Sequence, residues 1–200
     1  MGDDVTKRPS EHGGALIVAL MAMTVVMALG AALIVMTSTE TLIARNFLAG
    51  REAFYAAEAI AELAVAELSS GLDWNAVLAG TQTSRFVDGA PAGPRTLPVN
   101  EPVDLTQVLK LANCDTPAAC AGPPRWRLFA HGPLREVLPD AADSPLYVVA
   151  LVASATSNPA APALTVRGEA YGPRGVQRAI EQTLAAGGNG PATRAARLVP

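Results

Sequence analysis

Histidine and cysteine are scarce, two of each in 200 residues, and aromatic residues make up 4% of the chain. With only His12 and His131, Cys114 and Cys120, the sequence holds no zinc signature. It also lacks a glycine-rich phosphate loop and a nucleophile elbow. No catalytic, cofactor-binding or metal-ligating residues are therefore expected, and the chain reads as a non-enzyme with no small-molecule substrate. His131, set in Ala-His-Gly-Pro, is expected as a surface loop residue. Basic residues are few and scattered, with a formal net charge of −3, so no nucleic-acid footprint is present. Few aromatics combined with 17 Gly and 16 Pro point to a modest core and many loops in whatever part folds as a domain.

What the chain does have is one long stretch without charge, the 25 residues Ala15–Thr39. Its apolar part, Ala15–Met36, holds 22 residues; as a helix it would extend ~33 Å, enough to cross a bilayer core of ~30 Å. Lys7 and Arg8 precede it, whereas Glu40, Arg45, Arg51 and Glu52 balance one another beyond it. By the positive-inside rule Lys7 and Arg8 are expected to place residues 1–13 in the cytoplasm and residues 40–200 outside. The run is longer than the apolar stretch of a cleaved secretory signal, and Met36-Thr-Ser-Thr-Glu40 is a poor cleavage site. On these grounds alone the segment is a signal anchor.

The helical signal does not stop with the apolar run. From Glu40 to Ser69 there is no proline and one glycine, Gly50, and Ala, Leu and Glu dominate. Ile43, Phe47, Phe54, Ala57, Ala61, Ala64 and Leu68 recur at helical spacing and define one face. Ser69-Ser70-Gly71 supplies a stop. A helix over 14–68 is predicted, its membrane part at 15–36 apolar all round and its second half amphipathic. Such a stripe needs a globular surface to cover it, and Phe47 and Phe54 are expected to dock there.

Residues 69–186 form the expected outer domain. Pro91, Pro94, Pro98 and Pro102 rule out a long helix in the first part, Val103–Leu111 reads as a short helix or strand, and Arg125–Ala130 alternates as a strand would. Leu146–Thr156, Leu164–Tyr171 and Val176–Leu184 predict three strands joined by short turns, an antiparallel meander. The fold class is α+β: a long N-terminal helix packed on a small C-terminal sheet. The Gly-rich residues 187–200 are expected to be disordered. Outside the cytoplasm Cys114 and Cys120 are expected to form a disulfide that fixes a loop in this proline-rich region. A metal pair is the alternative, with no His or third Cys nearby.

Two elements carry a resemblance. Gly13-Gly14-Ala15-Leu16-Ile17-Val18 is similar to a prepilin leader junction, with cleavage between Gly13 and Gly14. Farther on, Arg51-Glu52-Ala53-Phe54-Tyr55-Ala56-Ala57-Glu58-Ala59 follows an Arg-x-x-Ala-Phe-x-Ala-Ala-Glu-Ala pattern in all but the spacing of its first residues. With Gly30 inside the apolar run, the Thr/Ser-rich exit and Asn46, this order resembles the N-terminal domain of the PilX family of type IV pilus assembly proteins. The resemblance covers residues 13 to about 62. It implies a pilin-like fold, a prepilin peptidase that removes the leader, and residence in the bacterial inner membrane with a periplasmic outer domain. Other minor pilins and the major pilin are the implied partners. The fifth mature position, usually a Glu that pairs with a neighbouring subunit's N-terminal amine, is Val18 here, which suits a minor rather than a bulk subunit. The alternatives are a GspK-like minor pseudopilin of a type II secretion system and an uncleaved signal-anchored periplasmic binding protein.

Overall fold

In this computed structural model, residues 12–97, 101–114, 125–155, 162–187 and 190–199 are described. The chain divides into two compact units, residues 1–47 and 48–200. Helix α1, His12–Ser69, is 58 residues long and continues through Thr37–Thr39 without a break. The predicted boundary at Ser69 between helix and outer domain is therefore not where compactness divides. The second half of α1 belongs to the globular unit.

That unit continues with α2 (Trp74–Ala79), β1 (Pro94–Thr96), β2 (Pro102–Asp104), α3 (Leu105–Asn113), β3 (Arg127–Pro133) and α4 (Leu134–Val137). A 3-10 turn (Pro139–Ala141) precedes β4 (Tyr147–Ser154) and β5 (Ala163–Gly172), and a second one (Pro173–Gly175) precedes β6 (Val176–Gly187) and β7 (Gly190–Val199). The region expected to be mostly loop is thus punctuated by capped helices. Asp73 accepts a hydrogen bond from Asn75 N and Asp104 one from Thr106 N, both at 2.9 Å, as N-caps do. Gly80 ends α2 in the left-handed conformation, at φ 77°. Two of the prolines that exclude a long helix lie at the ends of a two-stranded ribbon, Pro94 opposite Asp104 and Pro102 opposite Thr96, where a missing N–H is tolerated; Pro98 lies outside the described residues.

The main sheet has five strands in sequential order β3-β4-β5-β6-β7, every pair antiparallel. The predicted meander is its centre. The expectation of a disordered tail over 187–200 is corrected: β6 runs on to Gly187, and Gly190–Val199 pairs along it, from Ala179↔Val199 to Gly187↔Gly190. Glycine content measures local propensity, whereas pairing is decided by the partner. Without β7, β6 would present an open row of backbone donors and acceptors. The turn foreseen at Asn158–Pro162 falls mainly outside the described residues.

Strand alternation gives the sheet two buried faces. Val148, Ala150 and Val152 of β4, Leu164, Val166 and Ala170 of β5, and Ile180 and Leu184 of β6 share one core with α1. Tyr147, Val149, Leu151 and Ala153 point the other way and pack with Leu97, Val103, Leu105, Val108 and Trp126. On α1 the buried residues are Ala53, Ala56, Ala57, Ile60, Ala61, Ala64 and Leu68, each no more than 1% exposed. Small side chains on that face let the helix backbone approach the strands closely. The closest approach is at Gly168, where a Cβ would lie 2.2 Å from Ala57 O and 2.9 Å from Ala61 Cβ. Polar tethers flank the contact. Ser144 Oγ donates to Glu52 Oε1 and Gln182 Nε2 to Glu62 Oε1, each at 2.7 Å, and Trp74 Nε1 donates to Leu68 O at 3.0 Å near the helix end.

Replacing Gly168 with Ala should force helix and sheet apart. Overpacking of this kind costs ~1–3 kcal/mol. The urea midpoint of the full chain in detergent should fall accordingly, whereas Gly30→Ala, with no atom within 4 Å of the new Cβ, should leave it in place. Equal midpoints for Gly168→Ala and the parent chain would contradict the close approach.

Candidate functional site: the exposed apolar helix and its docking face

The first unit is, within the described residues, the N-terminal part of α1. From Leu16 to Met36 its large apolar side chains are all exposed, from 57% at Ile17 and Val25 to 75% at Met27. The helix is long and apolar enough to cross a membrane, and none of its most hydropathic window is buried by the protein itself. Apolar exposure on this scale marks a surface made for lipid or for other helices. The Thr/Ser exit fits the same environment. Thr37, Ser38, Thr39 and Thr41 each donate their hydroxyl to the backbone carbonyl four residues earlier, at 2.8–3.0 Å. These hydroxyls find acceptors within the helix itself, which lowers the cost of placing them in an apolar or interfacial medium.

Gly13 and Gly14 lie inside α1, and a Cβ at Gly14 would meet no atom within 4 Å. The expected leader, 1–13, falls almost wholly outside the described residues. Val18 is 67% exposed, and its side chain offers neither charge nor hydrogen bond.

The motif around residue 54 divides cleanly by face. Ala53, Ala56 and Ala57 are buried against the sheet, Phe54 is partly buried at the edge of the same core, and Arg51 and Glu58 are exposed. Arg51 Nη2 donates to Tyr55 OH at 2.9 Å, and its guanidinium lies 5.6 Å from the Tyr55 ring centre. Of the two phenylalanines expected to dock, Phe54 is partly buried and Phe47 is 64% exposed. Phe47 is on the right stripe, seven residues before Phe54, but burial on α1 begins only at Ala49 and Gly50. Ile43 is likewise 63% exposed. Helical period identifies a face; it does not say where along the helix the cover ends. Gly50 has its own explanation: a Cβ there would stand 3.0 Å from Arg178 Nη2, so the missing side chain leaves room for the guanidinium from β6.

Behind the docking face the sheet contains polar groups that sequence reading missed. His131 is not a surface loop residue but lies in β3, 1% exposed. Its backbone pairs with the segment before β1, donating to Phe86 O at 3.1 Å and accepting from Asp88 N at 2.9 Å. Tyr147 OH donates to Asp88 Oδ2 at 3.3 Å, so the 3.0 Å contact between His131 Nδ1 and Tyr147 OH has the imidazole as donor. Burial, with Arg95 adding to it and Asp88 opposing, holds His131 below the usual histidine range. Burial and then Asp88 push the Tyr147 phenol up. A second cluster crosses the outer strands. Glu169, 2% exposed, accepts from Arg167 and from Tyr171. Glu181 accepts from Arg197 Nη2 at 2.5 Å and Nε at 2.9 Å and lies 3.6 Å from Arg167 Nη1. Arg167, Glu181 and Arg197 are register partners on β5, β6 and β7, so this is a cross-strand charge row that helps fix the last strand. Burial and the neighbouring Glu169 push the Tyr171 phenol up, keeping it a donor. The signal available for His131 was its position between strand-forming Phe129-Ala130 and Tyr147's strand; for Gly168 it was a glycine in mid-strand.

Cys114 is the C-cap of α3 and is buried. Cys120 lies outside the described residues, and with it the expected pairing.

The lowered His131 pKa sets a sign. The folded state holds the imidazole neutral, while the unfolded chain takes up a proton near 6.5. Stability from this group is complete above that value and is lost as pH falls below it. The urea midpoint should decline on going from pH 7 to pH 5.5, by at most ~1.4 kcal/mol per pH unit. His131→Gln should flatten that window. Parallel profiles for the two proteins would refute the assignment.

No curated protein and no solved structure matches the chain. With the apolar helix, its exit and the alanine face in place, the family comparison gives one finding: residues 12–60 match the family model for the PilX N-terminal domain.

Proposed function

We propose that this chain is a structural, non-enzymatic minor pilin of the PilX type, needed for assembly or priming of a type IV pilus. One observation carries the reading. The matched segment, 12–60, spans the exposed apolar helix and the first turns of its docking face, and the motif alanines are the residues buried against the sheet. A family motif at that place describes how an outer domain is mounted on an insertion helix. In this reading the apolar helix waits in the inner membrane with the globular unit in the periplasm, and then packs against helices of other minor pilins and the major pilin. Helix association in lipid rests on van der Waals fit rather than on hydrophobic driving force, and an uncharged α1 suits it. Val18 in place of a carboxylate favours a rare position over the repeating shaft. The buried His131 and Tyr147 serve packing in this reading, and Cys114 and Cys120 staple the loop between α3 and β3.

Intact-mass analysis of the membrane-purified protein tests processing and the staple together. Prepilin peptidase should yield a chain starting at Gly14, and its absence, or a bulky residue in place of Gly13, should leave the leader attached. Reduction should add two mass units if the staple is formed. A chain that retains residues 1–13 in cells with an active peptidase would overturn the pilin reading and leave a signal anchor.

A further inference from the structure

We propose that the cleft at the C-terminal end of α1 receives a basic side chain of a partner protein, and that Glu67 is its acceptor. The site is independent of the pilus reading. The cleft holds about 650 Å³, within the range of ligand-sized sites. Leucine and alanine side chains of α1 and Leu72 give it apolar walls, and Glu67, Arg85 and the hydroxyl residues Ser70, Thr83 and Ser84 line it as polar groups. Glu67 is the unusual member. Its side chain is 13% exposed, and neither carboxylate oxygen accepts a hydrogen bond among the described residues. A buried carboxylate without donors is costly.

Among the described residues the charge is met by an ion pair, Arg85 Nε standing 3.0 Å from Oε1. The Arg85 side chain is itself 90% exposed. An ion pair with one member in solvent is weak, so Arg85 is a displaceable occupant rather than a fixed partner. What the cleft lacks is a donor that comes with its own apolar cover. A lysine or arginine side chain has that form, an aliphatic stem for the walls and a charged tip for the acid. A ligand without a donor would leave the carboxylate unsatisfied, a neutral donor would leave its charge unbalanced, and an anion would be repelled by it.

The test uses the full chain in detergent and Nα-acetyl-lysine methylamide as probe. Trp74, whose indole donates to Leu68 O beside the cleft, is the reporter in a Trp126→Phe background. A saturable fluorescence change with a millimolar Kd is expected, at least tenfold weaker for the norleucine analogue, which keeps the stem and loses the charge. Glu67→Gln should abolish it, with Glu67→Asp retaining part and both variants checked for an unchanged melting profile. Arg85→Ala should tighten binding several-fold by removing the competing cation. Equal binding of lysine and norleucine probes, unchanged binding in a folded Glu67→Gln, or weaker binding in Arg85→Ala would each overturn the proposal.

Discussion

The globular unit depends on how closely one helix can lie on one strand. At Gly168 the sheet has no side chain, and above it α1 presents Ala57 and Ala61, so backbone meets backbone with almost nothing between. Close packing of this kind makes up for a core poor in large side chains. Dispersion gains accumulate over many short contacts, and they require that each position on the face stay small. Around that contact, Ile60 and Leu68 fill the remaining space, and the Glu52–Ser144 and Glu62–Gln182 bonds fix the helix from both sides. A chain with 4% aromatics can build a stable domain this way because fit substitutes for bulk.

The same helix serves two media through two compositions. Where α1 is uncharged and apolar on all sides, its side chains are exposed to whatever surrounds the protein. Where it is amphipathic, alanine covers one face and Glu and Arg the other. The change occurs across the Thr/Ser turns, whose hydroxyls are bonded back to the helix. No proline or glycine interrupts that stretch, and the helical assignment passes through it. The match of residues 12–60 to the PilX N-terminal family model takes in both compositions and ends within the docking face.

The sequence made the helix and the central meander legible because both rest on local signals: a 3.6 period for α1, a β-branched run over Leu146–Thr156, short turns, and alternating polarity over Val176–Leu184. It also marked Ala57, Ala61, Ala64 and Leu68 as one face. How far along α1 burial extends, from Ala49 and Gly50 onward, is a tertiary fact that no helical stripe contains. The tail was misjudged for a related reason. Its glycines lower strand propensity, but β6 offers an open edge and Glu181 offers Arg197 a partner, and both lie far away in sequence. His131 was hidden by its neighbours Gly132 and Pro133, which suggest a turn. In the fold Gly132 instead makes room for Phe86, whose ring would stand 2.7 Å from a Cβ there.

Mounting of the outer domain on α1 is the claim on which the rest stands, and hydrogen–deuterium exchange along α1 in the detergent-solubilised full chain addresses it directly. If Ala53–Leu68 is an integral part of the sheet's core, its amides should exchange together with those of β4, β5 and β6, at the rate of global unfolding. Exchange of residues 53–68 while the three strands remain protected would contradict it.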